Sequence, residues 1–162
     1  MHETRGPDLT FYAPEPPPHR TLQGGRGARV CGGKVRFFTR KAERLEAERM
    51  RDFFKAGLPH GWKPRGGPCK VRVELIYPAR KQDRMADGVL LPHATRPDAD
   101  NLVKSLLDAM TRAGVWEDDG QVFNLSVCKY RCRRPCWRVS VWFDHPRARP
   151  EQATFDFGGL TA

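Results

Sequence analysis

The chain has 162 residues, with 29 Lys and Arg against 19 Asp and Glu, a formal net charge of +10 and five cysteines. This length predicts one domain, because a second complete core needs a longer chain and a domain of this size buries about 70% of its unfolded surface. The sequence has no apolar run approaching the roughly 20 residues that cross a bilayer, and it opens with no apolar signal region. We therefore expect a cytoplasmic protein without membrane contact, whose cysteines stay reduced.

The positive charge is carried by 21 Arg and 8 Lys that are spread over the whole length. Guanidinium groups favour bidentate contact with phosphate, so a basic domain of this kind indicates a nucleic-acid partner. The alternative is that the arginines are only solvated surface residues. Charge therefore indicates a class of partner and no activity.

Three elements are predicted in the first third of the chain. Residues 8–13 alternate briefly and stop at a run of prolines, which predicts a short strand. Gly32 and Gly33 mark the turn of a predicted hairpin rather than a phosphate-binding loop, because the Walker spacing is missing. Thr39 is the predicted N-cap of an amphipathic helix over residues 40–56.

A strand, a long loop and a second helix are predicted next. Residues 71–77 alternate between apolar and polar and predict a half-buried strand. Residues 79–97 form a polar loop without periodicity, which at this length is typical of a functional or mobile segment. Apolar residues at helical spacing predict a helix over residues 101–113 that Asp100 or Asn101 caps.

Two further strands, over residues 123–127 and 137–143, are predicted to pair antiparallel through a turn at 133–135. Together these elements predict an α+β fold, with a mixed β-sheet of about five to six strands and two main helices packed on it. We expect a single domain over residues 1–146 and a flexible tail over 147–162.

Acidic residues are concentrated around the second helix. Asp98 and Asp100 precede it and the run 117–119 follows it, so five of the 19 acidic residues flank one short element. Such a concentration would repel phosphate unless a cation intervenes, and carboxylates are the ligands that Mg²⁺ prefers. The alternative is that Asp98 and Asp100 only cap the helix and that the second run is a polar turn.

The order of these residues resembles a known motif. The strings Asp98-Ala99-Asp100-Asn101-Leu102 and Asp118-Asp119-Gly120-Gln121-Val122, with Lys104 between them, resemble the core motif of the RusA-like Holliday junction resolvases. The match is close over residues 95–130 and looser from 8 to 144. The resemblance implies a homodimeric endonuclease that cuts branched DNA with Mg²⁺ or Mn²⁺, resolving four-way junctions by paired phosphodiester hydrolysis.

The resemblance also implies roles for individual residues. The catalytic, metal-binding acids carry over onto Asp98, Asp100 and Asp119, and the functional lysine onto Lys104, one helical turn after Asp100. For Lys104, the alternative to DNA contact is a solvated ion pair with Asp100 or Asp108. Apart from the resemblance, the residues themselves suggest further roles: Asn101 and Asp118 are expected to support the site, and the basic residues Arg96, Arg131, Arg133 and Arg134 are expected to contact DNA.

The predicted helix separates these acids. A helix of 13 residues is about 20 Å long, so Asp119 starts near the end opposite Asp98 and Asp100. Residues 114–119 span at most about 20 Å when fully extended. Either this segment folds back along the helix, or Asp119 reaches the active site of the partner subunit, and both arrangements remain open at this point.

Two motifs outside this region resemble known binding sequences. One motif resembles a set of zinc ligands and consists of Cys128, Cys132 and Cys136, with His145 as a fourth ligand. The spacing of the cysteines favours the alternative, which is three reduced thiols in a basic hairpin. The tail resembles the short peptides that dock on bacterial sliding clamps, the alternative being an unstructured tail or rings packed on their own domain. The clamp-binding residues would be Gln152, Phe155 and Phe157.

Two other functions remain open on this sequence. A non-catalytic basic module could bind DNA or stabilise a junction without cutting it, in which case its affinity would fall steeply with salt. A third interpretation is RNA binding through exposed basic and aromatic residues. Cleavage that depends on a divalent ion would separate the enzyme from both alternatives.

Overall fold

The computed structural model describes residues 6–18, 26–39 and 41–143. Within these ranges the chain forms seven strands and two α-helices. Their bounds are β1 Leu9–Ala13, β2 Arg26–Cys31, β3 Lys34–Thr39, α1 Lys41–Ala56, β4 Cys69–Pro78, β5 Leu91–Pro92, α2 Ala99–Ala113, β6 Val122–Cys132 and β7 Cys136–Phe143. The predicted tail over 147–162 and the clamp-like residues in it lie outside the described ranges.

Five of the strands form one mixed sheet in the order β1-β7-β4-β6-β5, while β2 and β3 form a separate hairpin. The central strand β4 pairs antiparallel with β7 and parallel with β6. The α+β fold, the two main helices and the mixed sheet are therefore confirmed, and the main sheet has five strands where about five to six were predicted.

The predicted pairing of the last two strands is wrong, because β4 lies between β6 and β7. The turn at residues 133–135 is where the prediction put it, but it carries the chain across the end of β4 instead of closing a hairpin. Strands two positions apart in a sheet are separated by about 9.6 Å, which three linking residues can span. A short link therefore cannot distinguish a hairpin from a step over one strand.

Two boundaries also differ from the prediction. The loop over 79–97 contains the two-residue strand β5, in which Leu91 and Pro92 pair antiparallel with β6. Helix α2 begins at Ala99 with Asp98 as its N-cap, so Asp100 lies inside the first turn and neither it nor Asn101 is the cap. The helix starts earlier because Ala99 is a strong helix former and Asp98, a residue type favoured at the N-cap, has the extended conformation of a cap.

The helices cover one face of the sheet and form the core with it. Val71, Val73 and Leu75 of β4 point into this core and are fully buried or nearly so. The ring of Phe54 in α1 lies 5.0 Å from that of Phe11 in β1 and 6.0 Å from that of Trp137 in β7. Neither described helix has the length and apolar character that a membrane-spanning helix requires.

Helix α2 ends at Gly114, whose positive φ of 80° is the left-handed conformation that favours glycine. The next amide, of Val115, donates to the Met110 carbonyl at 3.1 Å, which closes the last turn. The Trp62 indole donates to the carbonyl oxygens of Gly114 and Val115. The end of α2 is thereby fixed against the segment that precedes β4.

Candidate active site

Asp98 and Asp100 lie at the N-terminus of α2, and both residues are exposed. Asp98 is the N-cap in an extended conformation, with φ −70° and ψ 138°, yet its carboxylate makes no capping hydrogen bond. The helix macrodipole stabilises negative charge at this end. The carboxylate of Asp98 is therefore held in a favourable field without being used by the cap.

Lys129 on β6 ties the segment before Asp98 to the sheet. Its ammonium donates to the carbonyl oxygen of Thr95 at 2.8 Å and to that of Pro97. Its own carbonyl accepts from the amide of His93 at 3.0 Å. One residue of a sheet strand thus binds three alternate residues of the segment that leads into α2.

The Thr95 hydroxyl is the centre of a second set of contacts. Arg80 and Arg131 donate to it at 3.0 and 3.1 Å, and the His93 ring nitrogen Nε2 lies 2.9 Å away. The Arg131 guanidinium also pairs with Asp83 at 3.8 Å, and the Arg131 side chain is only 12% exposed. Arg131, an expected DNA contact, is thus already engaged in holding the loop.

The other expected DNA contacts are at the surface. Arg96 and Arg134 are exposed. The Arg133 side chain is 58% exposed and lies 3.4 Å from Asp87 in a surface ion pair. These three guanidinium groups remain accessible to a phosphate backbone.

Lys104 is exposed on α2, one turn after Asp100. Among the residues that the structure describes, no ion pair joins it to Asp100 or Asp108, so the ion-pair alternative has no support here. Asn101 is half-buried, and its backbone carbonyl accepts from the Ser105 hydroxyl at 3.0 Å.

The second acidic run forms a turn that precedes β6. The Asp118 carboxylate accepts from the Gly120 amide at 2.7 Å, so it caps the short 3-10 helix Asp119–Gln121. The Asp119 carboxylate has no part in that cap and belongs to a half-buried residue. Of the two neighbouring acids, the Asp118 carboxylate caps the turn, whereas the Asp119 carboxylate is not needed for that cap.

Gln121 holds this turn with both ends of its carboxamide. Its oxygen accepts from the amides of Glu117 at 3.0 Å and Asp118 at 2.9 Å. Its nitrogen donates to the carbonyl oxygens of Arg65 at 3.1 Å and Gly67 at 2.7 Å. Two acceptor positions and two donors are all that a carboxamide offers, so this side chain is fully used.

The structure does not bring the three predicted acids together within one subunit. Asp98 and Asp119 lie beyond opposite ends of α2, whose 15 residues give a length of about 22 Å. Within the described ranges, no three His, Cys, Asp or Glu side chains lie close enough to share a metal ion.

The zinc interpretation has no support in the described ranges, where Cys128, Cys132 and Cys136 do not form a group that could hold a metal ion. His145 lies outside those ranges. None of the five cysteines, all of which lie in the described ranges, forms a disulfide.

Lys129 was not among the predicted site residues, although the alternating pattern of its strand indicates that its side chain lies on a buried face. In β6, Leu125, Val127 and Lys129 pair with Val71, Val73 and Leu75, so all of them face the helices. A lysine that continues an apolar alternation lies on a buried face and must find hydrogen-bond acceptors there. Thr95 and Arg80 had no comparable signal, because loop contacts leave no periodicity.

Comparisons with known proteins agree with the motif. A family model described as Endodeoxyribonuclease RusA matches residues 23–142. The Crossover junction endodeoxyribonuclease rusA of Lactococcus phage r1t is 29% identical over 112 residues, which are 67% of this chain and 79% of the phage protein.

Two bacterial proteins match over shorter stretches. The uncharacterized protein YqaN of Bacillus subtilis strain 168 is 34% identical over 46% of this chain and 56% of its own length. The Crossover junction endodeoxyribonuclease RusA of Escherichia coli strain K12 is 39% identical over 38% of this chain and 40% of its own length. Because the family model covers most of the chain and the motif lies inside the match, this protein belongs to the RusA endodeoxyribonuclease family.

Proposed function

We propose that this chain is a divalent-cation-dependent endonuclease that resolves four-way DNA junctions by paired phosphodiester hydrolysis. The observation that carries the proposal is the pair Asp98 and Asp100, exposed at the start of α2, with the Asp98 carboxylate unused by the helix cap. Membership of an endodeoxyribonuclease family, with relatives named as crossover junction enzymes, supports the reaction and the substrate.

The donor chemistry of Asp98 and Asp100 fits Mg²⁺ or Mn²⁺. Mg²⁺ commonly binds through one or two carboxylates and completes its shell with water and substrate phosphate. Asp119 would add a third carboxylate only from a second subunit, because the length of α2 separates it from Asp98. When bound, such an ion activates water and stabilises charge on the phosphate.

The surrounding cations fit a phosphate backbone. Lys104 is exposed, has no ion pair with Asp100 or Asp108, and lies on the helix that begins at Asp98 and Asp100. Its ammonium would therefore contact the scissile phosphate or its neighbour. The proposed contacts to the DNA arms are Arg96, Arg133 and Arg134, while Asn101 supports the start of α2 and Asp118 supports the turn of Asp119.

A homodimer is the second part of the proposal, and the edge of the sheet supports it. In the described part of the chain no strand pairs with the outer edge of β6 from Val122 to Cys128, since β5 reaches only Tyr130 and Arg131. Phe123 on this edge is 56% exposed. Unpaired edges with apolar side chains are suited to adding another strand.

Pairing of two β6 edges would also complete the acidic site. In an antiparallel pairing centred on Leu125, the partner subunit's Val122 would lie opposite Cys128, and the turn that carries the partner's Asp119 would follow beyond that point, toward Lys129. Lys129 contacts the segment that leads into Asp98. The same symmetry gives two equivalent sites, which suits a junction with two strands to cut.

Cleavage of a synthetic four-way junction tests the function. The purified chain should nick paired strands when Mg²⁺ or Mn²⁺ is present and should only bind when EDTA replaces them. Salt-sensitive binding without cleavage under any divalent ion would contradict the nuclease and favour a DNA-binding module. Preferential binding of a structured RNA over the junction would favour RNA recognition instead.

A further inference from the structure

We propose that Lys129 is a positioning residue for Asp98, acting through the backbone of the segment 93–97. Its carbonyl and its ammonium together bind His93, Thr95 and Pro97, which are alternate residues of that segment. The inference rests on the proposed function, since it concerns the aspartate assigned to the active site.

The location of Lys129 argues for a fixed side chain. It pairs with Leu75 in the parallel ladder of β4 and β6, and Leu75 is fully buried. An ammonium on this face of the sheet loses water and regains hydrogen bonds from the two carbonyl oxygens. These contacts commit two of its three N–H donors.

The attachment passes directly to the acidic site. Pro97, whose carbonyl accepts from the Lys129 ammonium, immediately precedes Asp98, the N-cap of α2. The loop from residue 79 to the start of α2 contains only the two-residue strand β5, so few backbone bonds fix its end. Lys129 therefore supplies contacts that the loop lacks in its own backbone.

A direct contact between Lys129 and DNA is the competing role. Lys129 is half-buried and its ammonium is already bound to two carbonyl oxygens, whereas Lys104 is exposed and has no ion pair with Asp100 or Asp108. A phosphate would have to displace these hydrogen bonds. The arrangement thus favours a role in holding the loop over a role in binding the backbone of DNA.

Hydrogen exchange of the metal-free, DNA-free chain tests this attachment. Lys129→Met keeps an unbranched side chain, one heavy atom shorter, and removes its donors, so exchange of amides in residues 93–101 should rise at least tenfold. Lys55→Met, an exposed lysine in the last turn of α1, is the matched control and should leave those amides unchanged. Unchanged exchange in Lys129→Met would overturn the proposal.

Cleavage then tests the consequence for Asp98. In Lys129→Met the Mg²⁺ concentration at half-maximal cleavage should rise at least tenfold, while junction affinity in EDTA should stay within twofold. A loss of affinity with a shallower salt dependence would instead make Lys129 a phosphate contact and overturn the proposal. A parent chain that never cuts would contradict the proposed function but would leave the exchange result standing.

The methionine variant is judged only if it keeps the global fold. If its melting temperature collapses, Lys129→Gln is used, because its amide retains one donor group without the charge. The same local rise in exchange over residues 93–101 is then expected. Uniform acceleration across the whole sheet, or no acceleration at all, would show that Lys129 has no specific effect on this segment.

Discussion

Asp98 and Asp119 lie beyond the two ends of α2, Asp98 as its N-cap and Asp119 past its C-cap Gly114. If each active site takes Asp119 from the other subunit, mixing Asp98→Asn with Asp119→Asn chains should restore cleavage. Half of the randomly mixed dimers then carry one intact site, so about a quarter of the parent's sites are recovered. Nicking of a labelled junction by the mixture measures this directly.

Each variant alone sets the baseline for that experiment. Asp119→Asn by itself should lower the cleavage rate at least a hundredfold and keep junction binding, because it removes a carboxylate and no DNA contact. A variant that cuts like the parent would refute the assigned role of Asp119. A mixture no more active than its components would show that Asp119 does not serve the neighbouring subunit.

The exposed edge of β6 leads to a second prediction. Leu125→Asp adds charge to an edge residue that is 43% exposed in the monomer, and it should dissociate the dimer and abolish cleavage. Tyr12→Asp, on β1 at the opposite edge of the sheet and 57% exposed, is the matched control. Sedimentation velocity should give a monomer for the first variant only, and a dimeric Leu125→Asp chain would exclude this interface.

The carboxamide of Gln121 leads to a third prediction. Gln121→Glu keeps the shape of the side chain but directs oxygen at the carbonyl oxygens of Arg65 and Gly67, where nitrogen now donates. We expect a loss of about 1–3 kcal/mol in the free energy of unfolding, because two acceptors lose their donor. The Mg²⁺ requirement for cleavage should rise as well, since the Asp119 turn loses its attachment.

Denaturant unfolding and a metal titration measure these two effects. Glu46→Gln is the control, because Glu46 lies on α1 and, among the residues that the structure describes, forms an ion pair within the helix with Arg49 at 3.8 Å. Stability and metal response equal to those of the parent would show that the Gln121 contacts do not hold the turn.

Gly114 leads to a fourth prediction. Its φ of 80° favours glycine, and a Cβ added there would lie 3.4 Å from the Pro64 ring. Gly114→Ala should therefore reduce the free energy of unfolding by about 1 kcal/mol. Urea unfolding checks the value, and a gain in stability would mean that the helix end can relax without cost.

The buried Tyr77 hydroxyl leads to a prediction about pH. Burial raises the pKa of Tyr77 above its ordinary value, which is about 10. The folded chain therefore holds this proton more tightly than the unfolded chain. The stability that Tyr77 contributes by staying protonated is fully present below its ordinary pKa and declines as the pH rises above it. Tyr77→Phe should make the alkaline loss of stability shallower, and parallel curves for the two chains would contradict it.

Periodicity predicted the elements well and their neighbours poorly. The alternation over 71–77 predicted β4, and the helical spacing predicted α2, because each pattern reports which face is buried. Nothing in a strand's own pattern states which strand lies beside it, so the hairpin assigned to β6 and β7 was wrong. The early start of α2 was missed because Asp98, Asp100 and Asn101 are all good caps.

The sequence likewise predicted one part of the candidate site and missed another. Its acids were found because their types and spacing match a motif, and the length of α2 predicted that Asp98 and Asp119 are separated within one chain. No local pattern in the sequence reports how two chains would pack to bring them together. Gln121 lay inside the motif without an assigned role. Its function became visible only when Arg65 and Gly67, distant in sequence, came into contact with it.

The central location of β4 has a consequence for how the chain assembles. Both strands that flank β4 come after α2 in the chain, so β4 has no sheet neighbour when it leaves the ribosome. Contacts between distant segments form slowly, and an unpaired apolar strand is open to intermolecular pairing during that interval. Slow translation of the chain, or its truncation before β7, should therefore favour aggregation. Chaperones that shield extended apolar segments should increase the yield of folded protein.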